Sequence, residues 1–246
     1  MLTQEQRLRL MECPKDPVDM APDTDAYNEI DDNISHDNTI IYGSLKNWDT
    51  GAYVPVSDTG GVYYGGYQGW LTDENLSKFW ADRSCGVTAA ANMLYYMAKN
   101  VSGKSALYTK PDITKVSFSA FQRQIYDHSL SPAVYGIPGS SSMTRKVESW
   151  ASYRNVSLIG RPFKGAWSVT NVRNHIIAGL NAERPVLLQT WNSPIPNLSW
   201  HWVTVTRIYK DGTDKILTSN WGGKAVYDFE IWCNGPGLYK SVLYFE

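Results

Sequence analysis

The sequence predicts an α+β protein in which helices come first and strands follow. Apolar residues recur at helical spacing in four segments between residues 85 and 182. From residue 184 to residue 245, β-branched and aromatic residues dominate, and turn-forming residues separate short runs, as in strands. The chain has 246 residues, of which 43% are hydrophobic and 19% charged, so we expect one large globular domain.

The helix that begins at Cys85 has the clearest pattern. Its positions 87, 90, 91, 94, 97 and 98 are all apolar, and Ser84 or Asp82 is a candidate for the N-cap. Cys85 then lies in the first turn, where the unpaired amides and the helix dipole favour a thiolate. A small buried cysteine at the start of a core helix would have the same pattern. The identification of a nucleophile therefore depends on its partners.

The remaining elements follow in order along the chain. Further helices are predicted over 117–128, 142–154 and 170–182, and strands over 156–163, 184–191, 200–210, 215–220, 225–232 and 239–245. Residues 53–70 alternate aromatic residues with glycines, which is typical of short extended pieces joined by tight turns. Such a segment can line a cleft.

The N-terminal region differs in charge from the rest of the chain. Its first 50 residues contain eleven acidic and four basic residues and little apolar periodicity. Acidic segments of this kind are commonly solvated tails, but a pro-segment held by the mildly basic remainder is the alternative. We place an acidic arm or pro-segment at residues 1–45 and the domain at 46–246.

Composition argues against several functions. A formal net charge of −1 provides no field that selects nucleic acid or an anionic membrane. The first residues lack the apolar core of a signal peptide, which predicts a cytoplasmic protein, or a secreted one if a leader has been removed. Three widely spaced cysteines, Cys13, Cys85 and Cys233, leave at least one free thiol. No metal-ligand spacing or nucleotide fingerprint is present, so we expect neither a metal nor a cofactor.

The C-terminal strands contain a second candidate pair. The strand that opens with His201 turns near residues 210–214, and the chain returns along a strand that ends at Asn220. A hairpin brings the start of its first strand beside the end of its second, so these two side chains are expected to meet. An imidazole oriented by an amide oxygen can take the proton of a thiol nucleophile. Trp221, the next residue, can exclude water from the pair.

The order Cys85, His201, Asn220 resembles that of the papain-like superfamily of cysteine peptidases. It is most similar to the bacterial branch related to the bacteriocin-leader peptidases, in which Cys-Gly-x-x-Ala-Ala-x-Asn-like segments open the central helix. The segment at 220–222 resembles the Asn-Ser-Trp-Gly of papain without its serine. The likeness covers roughly residues 60–235. It implies a papain-like fold with the cysteine helix packed on a C-terminal antiparallel sheet, Cys85 as nucleophile, His201 as general base and Asn220 as the orienting residue.

The sequence departs from this family at the oxyanion hole. The family has a glutamine about six residues before the cysteine, where this chain has Phe79. Gln68 is the candidate donor, with residues 71–81 as an insertion that loops out and returns. Asp82 is the alternative, but a carboxylate would repel the oxyanion and fits better as a helix cap.

The resemblance implies a thiol hydrolase that cleaves peptide or isopeptide bonds of a peptide or protein substrate through an acyl-enzyme. The same intermediate also serves deamidation and acyl transfer, which the triad does not distinguish. A catalytically silent peptide-binding module, with Trp191, Trp200 and Trp202 in its cleft, is the alternative from another class. The sequence makes no prediction of the oligomeric state.

Overall fold

The computed structural model describes residues 39–193, 195 and 197–246, and it has an α+β architecture. The strands are β1 (Ile40–Ser44), β2 (Pro55–Asp58), β3 (Gly61–Tyr64), β4 (Gly160–Pro162), β5 (Val186–Trp191), β6 (His201–Asp211), β7 (Thr213–Asn220), β8 (Gly223–Asp228) and β9 (Tyr239–Phe245). The helices are α1 (Lys78–Ala81), α2 (Cys85–Asn100), α3 (Lys115–Ile125), α4 (Gly139–Tyr153), α5 (Val169–Asn181) and α6 (Phe229–Asn234).

The main sheet consists of seven antiparallel strands in the order β4-β9-β5-β6-β7-β8, and β1 also pairs with β6. Strands β6 and β7 form the predicted hairpin, which turns at Gly212 and pairs Thr204 with Ser219. The register shifts between Val205 and Arg207, so the hairpin contains a bulge. His201 and Asn220 nevertheless lie at the same end of the sheet, because each is the terminal residue of its strand.

Helix α2 is buried along nearly its whole length and packs on the sheet. Its apolar residues form part of the main core, and the Thr204 hydroxyl of β6 donates to the carbonyl of Ala89 at 3.1 Å. The first turn is tightly packed, since a Cβ on Gly86 would lie 3.0 Å from Ile137 and 3.2 Å from Trp202. The position of Cys85 relative to the sheet is thereby set by close packing.

Several predicted boundaries differ from the observed ones for local reasons. Helix α3 begins at Lys115 because Thr114 and Ser117 form a capping box, and it continues into a π-helical turn over Tyr126–Leu130. The strand predicted over 225–232 ends at Asp228, whose carboxylate accepts a hydrogen bond from the Ile231 N–H at 2.8 Å and starts α6. Of the strand predicted over 156–163, Gly160–Pro162 forms β4, and the flanking Ile159 and Phe163 also make backbone hydrogen bonds to Glu246 and Val242.

The end of the predicted N-terminal arm belongs to the fold. Ile40–Ser44 pairs with β6, and Leu45 is 1% exposed. The predicted boundary at residue 45 is therefore too late in the sequence, because the folded part already includes β1. Residues 1–38, which contain most of the arm, lie outside the described residues.

Residues 53–82 form the segment that precedes the cysteine helix. Strands β2 and β3 make a hairpin, and a 3₁₀ helix follows at Gln68–Thr72. The next residues bury a small apolar cluster of Leu71, Leu76 and Ala81 before α1 leads into α2. Within the part of the chain that the structure describes, no helix is long and apolar enough to cross a bilayer.

Candidate active site

The structure brings the predicted nucleophile, base and orienting residue to one cavity. Cys85 is the first residue of α2, His201 the first of β6 and Asn220 the last of β7. Their exposed fractions are 7%, 3% and 3%. All three line the same small cavity, together with Gln68. The site therefore lies where the N-terminus of the central helix meets one end of the β6–β7 hairpin.

His201 and Asn220 form a short hydrogen bond with a defined orientation. The distance from His201 Nε2 to Asn220 Oδ1 is 2.6 Å. The Asn220 Nδ2 group donates to Tyr227 Oη at 2.9 Å and to the backbone carbonyl of Asn197 at 3.4 Å. Because a carbonyl only accepts, this contact requires the amide nitrogen to face Asn197 and the amide oxygen to face the ring. Nε2 therefore carries the ring hydrogen.

This tautomer leaves the other ring nitrogen unprotonated. His201 Nδ1 is buried and has no hydrogen-bond partner among the described residues. A buried polar atom without a partner costs about 1–3 kcal/mol, and such exceptions are often explained by a catalytic role. The lone pair of Nδ1 is thus available to a proton from a group in the same cavity, and Cys85 is the thiol that lines it.

Burial controls the protonation of His201. Desolvation lowers the pKa of His201 to about 4, and the hydrogen bond to Asn220 only partly offsets this effect. The indole of Trp221 lies against the ring, with centroids 4.8 Å apart, and contributes to the exclusion of water. The ring is consequently neutral at pH 7 and ready to act as a base. The same burial opposes a resting thiolate–imidazolium pair, which the helix dipole alone would favour.

The predicted helix caps are wrong. Ser84 occupies the N-cap position of α2 but its hydroxyl donates to the carbonyl of Trp80 at 2.7 Å, and it makes no capping hydrogen bond. The Asp82 carboxylate pairs with Lys78 at 3.0 Å. The reason is that α1 runs into α2 through consecutive tight turns, so both side chains bond back to α1 rather than forward to α2.

Gln68 lies beside the segment that leads into the first turn of α2. It is 3% exposed, and its Nε2 donates to the backbone carbonyl of Asp82 at 2.9 Å. This bond closes the insertion at its base, as the sequence predicts for a segment that loops out and returns. Phe79, at the position where the family has glutamine, is 47% exposed and packs against the Arg83 guanidinium instead.

Sequence reasoning missed several polar residues of the site. Asn92 and Ser219 line the cavity and bond to each other, while Tyr227 binds Asn220. Asn92 is the asparagine of the Cys-Gly-x-x-Ala-Ala-x-Asn-like segment, but the resemblance assigned it no role. The roles of Ser219 and Tyr227 depend on strand register, for which the sequence has no local signal.

The three tryptophans suggested for a binding cleft are separated in the structure. Trp202 lines the cavity, and its Nε1 donates to the carbonyl of Ile137 at 3.0 Å. Trp191 and Trp200 stack on each other with centroids 5.9 Å apart. Trp191 lines a different groove, next to Tyr239. They do not form one common surface with the cysteine.

Neither of the described cysteines forms a disulfide. Cys85 and Cys233 are free thiols, and Cys13 lies outside the described residues. Among the residues that the structure describes, no group of three or more His, Cys, Asp or Glu side chains could hold a metal ion.

No protein-family model matches the chain, and no curated protein sequence matches it.

Proposed function

We propose that the protein is a papain-like thiol hydrolase that cleaves peptide or isopeptide bonds through Cys85, His201 and Asn220. One observation carries the proposal. His201 has an unprotonated, unpartnered Nδ1 and lines the same small cavity as Cys85, while Asn220 holds the opposite ring nitrogen at 2.6 Å. This is the arrangement that a thiol nucleophile requires of its general base.

The proposed reaction uses each group at a stated atom. Cys85 Sγ attacks the substrate carbonyl carbon as its proton passes to His201 Nδ1, and the carbonyl π bond becomes a lone pair on oxygen. When the tetrahedral intermediate collapses, the C–N bond breaks and His201 returns the proton to the leaving amine. The resulting thioester is hydrolysed by water, which loses a proton to His201 as it attacks. Release of the acid regenerates the thiol.

The oxyanion of the intermediate needs hydrogen-bond donors beside the nucleophile. The backbone N–H of Cys85, at the positive end of α2, is one proposed donor, and Gln68 Nε2 is the other. The bond from Gln68 to the Asp82 carbonyl supports this role because it holds the amide three residues before the nucleophile. Asp82 is not supported as a donor, since its carboxylate pairs with Lys78.

The test is selective labelling followed by substrate profiling. Native protein is treated with iodoacetamide or the peptide epoxide E-64, and the modified residue is identified by mass spectrometry. We expect Cys85 to react and Cys233 to stay unmodified, because burial raises the pKa of the Cys233 thiol. Cys233 thus serves as the internal control for unfolded protein.

A peptide library then identifies the reaction. Hydrolysis, deamidation and acyl transfer yield products of different mass, so mass spectrometry of the library distinguishes them. We expect cleavage by the wild type and none by Cys85→Ala or His201→Ala. A native protein that leaves Cys85 unlabelled and every peptide intact would overturn the proposal and favour a silent binding module.

A further inference from the structure

Asn92 occupies a defined position relative to the nucleophile. It follows Cys85 by seven residues, close to two full helical turns, so both side chains lie on the same face of α2. Both line the catalytic cavity, and Asn92 is only 2% exposed. A buried amide in a largely apolar helix has to be satisfied by specific partners.

The partners of Asn92 come from two other parts of the chain. Its Oδ1 accepts a hydrogen bond from the backbone N–H of Gly66 at 2.8 Å, and its Nδ2 donates to Ser219 Oγ at 3.1 Å. The Ser219 hydroxyl in turn donates to the backbone carbonyl of Tyr64 at 2.6 Å. This ring of hydrogen bonds joins α2, strand β7 and the segment 64–66.

Each of these three parts of the chain contains or closely precedes a residue of the proposed site. Gln68 stands two residues after Gly66, Asn220 one residue after Ser219, and Cys85 two turns before Asn92. Gly65 lies at the centre of the ring with φ +93°, and a Cβ there would be 2.3 Å from Ser219 Oγ and 2.8 Å from Asn92 Nδ2. The backbone at Gly65 therefore packs directly against the Asn92 amide and the Ser219 hydroxyl, and no space is left there for a side chain.

We propose that Asn92 is a positioning residue that sets the distance between the oxyanion donor Gln68 and the nucleophile Cys85. The inference rests on the proposed function and adds a residue to it. Asn92 acts through segment 64–66 and not on the substrate itself. Other backbone bonds also hold the segment, namely those from Tyr64 N–H to Gly222 and from Gly65 N–H to Val54. Loss of the Asn92 amide should therefore shift the segment without unfolding it.

The first test separates positioning from substrate binding. The best peptide from the library is used to measure kcat and KM for Asn92→Ala. A displacement of about 1 Å in a positioned group can cost roughly 10²-fold, so we expect kcat to fall by about 10- to 100-fold with KM nearly unchanged. Asn100→Ala, on the same helix but outside the cavity, is the control and should retain wild-type kcat.

The second test asks whether Asn92 acts through Gln68. In a Gln68→Ala background the donor is already absent, so adding Asn92→Ala should change kcat by less than about 3-fold. Alkylation of Cys85 by iodoacetamide, which forms no oxyanion, should stay close to the wild-type rate in all of these variants. Additive losses in kcat, or an equal fall in alkylation, would overturn the inference.

A second variant covers the possibility that Asn92→Ala is too unstable to assay. Ser219→Ala removes the hydroxyl that bridges Asn92 and Tyr64, and it should lower kcat in the same direction by a smaller factor. Thr218→Val is its control, because that hydroxyl donates to Ala225 on β8 instead. Wild-type kcat in both Asn92→Ala and Ser219→Ala would reject the role. Absence of any wild-type cleavage would instead reject the proposed hydrolase.

Discussion

His201 is the residue whose environment determines the pH response of the site. Because burial lowers its pKa to about 4, the base form persists well below the ordinary histidine pKa of about 6.5. We expect kcat/KM to fall only as the pH drops toward 4. Trp221→Ala would admit water to the ring and move this acid limb upward. The pH–rate profiles of wild type and Trp221→Ala provide the measurement, and an unshifted limb near pH 6.5 in the wild type contradicts the prediction.

Asn220 is expected to affect turnover more than binding. In Asn220→Ala the ring loses the acceptor that fixes its tautomer, and we expect kcat to fall by up to roughly 10²-fold, less than for Cys85→Ala. Asp228 cannot replace the amide, because its carboxylate caps α6. Thr218→Val is the control, since it removes a buried polar group from the same strand whose hydroxyl bonds to Ala225 and not to Asn220. Full activity of Asn220→Ala would remove the residue from the mechanism.

At the scale of the elements, the glycine-rich segment before Gln68 leaves little space for an added side-chain atom. At Gly65 an added Cβ would meet Ser219 and Asn92, and the positive φ would also strain a side chain. We expect Gly65→Ala to lower the free energy of unfolding by about 1–3 kcal/mol and to reduce kcat. Gly60→Ala, in the β2–β3 turn with no atom within 4 Å of the added Cβ, is the control. Urea unfolding of the two variants checks this, and equal stabilities would contradict it.

The elements themselves follow the sequence pattern unevenly. Long helices such as α2 and α4, and the strand β9, lie close to where the sequence pattern predicts them. Helix α6 was not predicted because its residues have a strand-like pattern. A single local hydrogen bond, from Ile231 N–H to the Asp228 carboxylate, starts a helix there instead. Apolar and aromatic residues fit both a strand and a short buried helix, so periodicity does not separate the two over six residues.

At the scale of the whole molecule, His201 should make stability depend on pH. Its folded pKa of about 4 lies below its unfolded value of about 6.5, so the unfolded chain binds more protons between these values. Its contribution to stability is present above pH 6.5 and is lost as the pH falls toward 4, by roughly 3 kcal/mol. Urea unfolding of wild type and His201→Gln across this range isolates the effect. Parallel stability curves would contradict it.

Two truncations test where the folded unit begins. Deletion of residues 1–38 keeps every described element, including β1, and provides the reference free energy of unfolding. Deletion of residues 1–45 removes β1 from β6 and the buried Leu45, and should lower it. Equal stability of the two truncations would instead place the start of the folded unit at residue 45.

The pro-segment alternative is tested by comparing peptide cleavage by the first truncation and by the full chain at low and high salt. An acidic arm that is bound by charge should bind more weakly at high salt.

The sequence by itself determined the mixed α+β class, the central helix with Cys85 in its first turn and the hairpin that pairs His201 with Asn220. These conclusions depend on short-range periodicity and on one turn, both of which are visible in short stretches of the sequence. Only the tertiary structure decided that Gln68 returns to Asp82, that neither Ser84 nor Asp82 caps α2, and that Asn92 binds Gly66 and Ser219. The contacts of Gln68 and Asn92 join separate segments of the chain and depend on sheet register and close packing, which no local pattern encodes. The caps are absent because α1 runs directly into α2, so the Ser84 and Asp82 side chains bond back to α1.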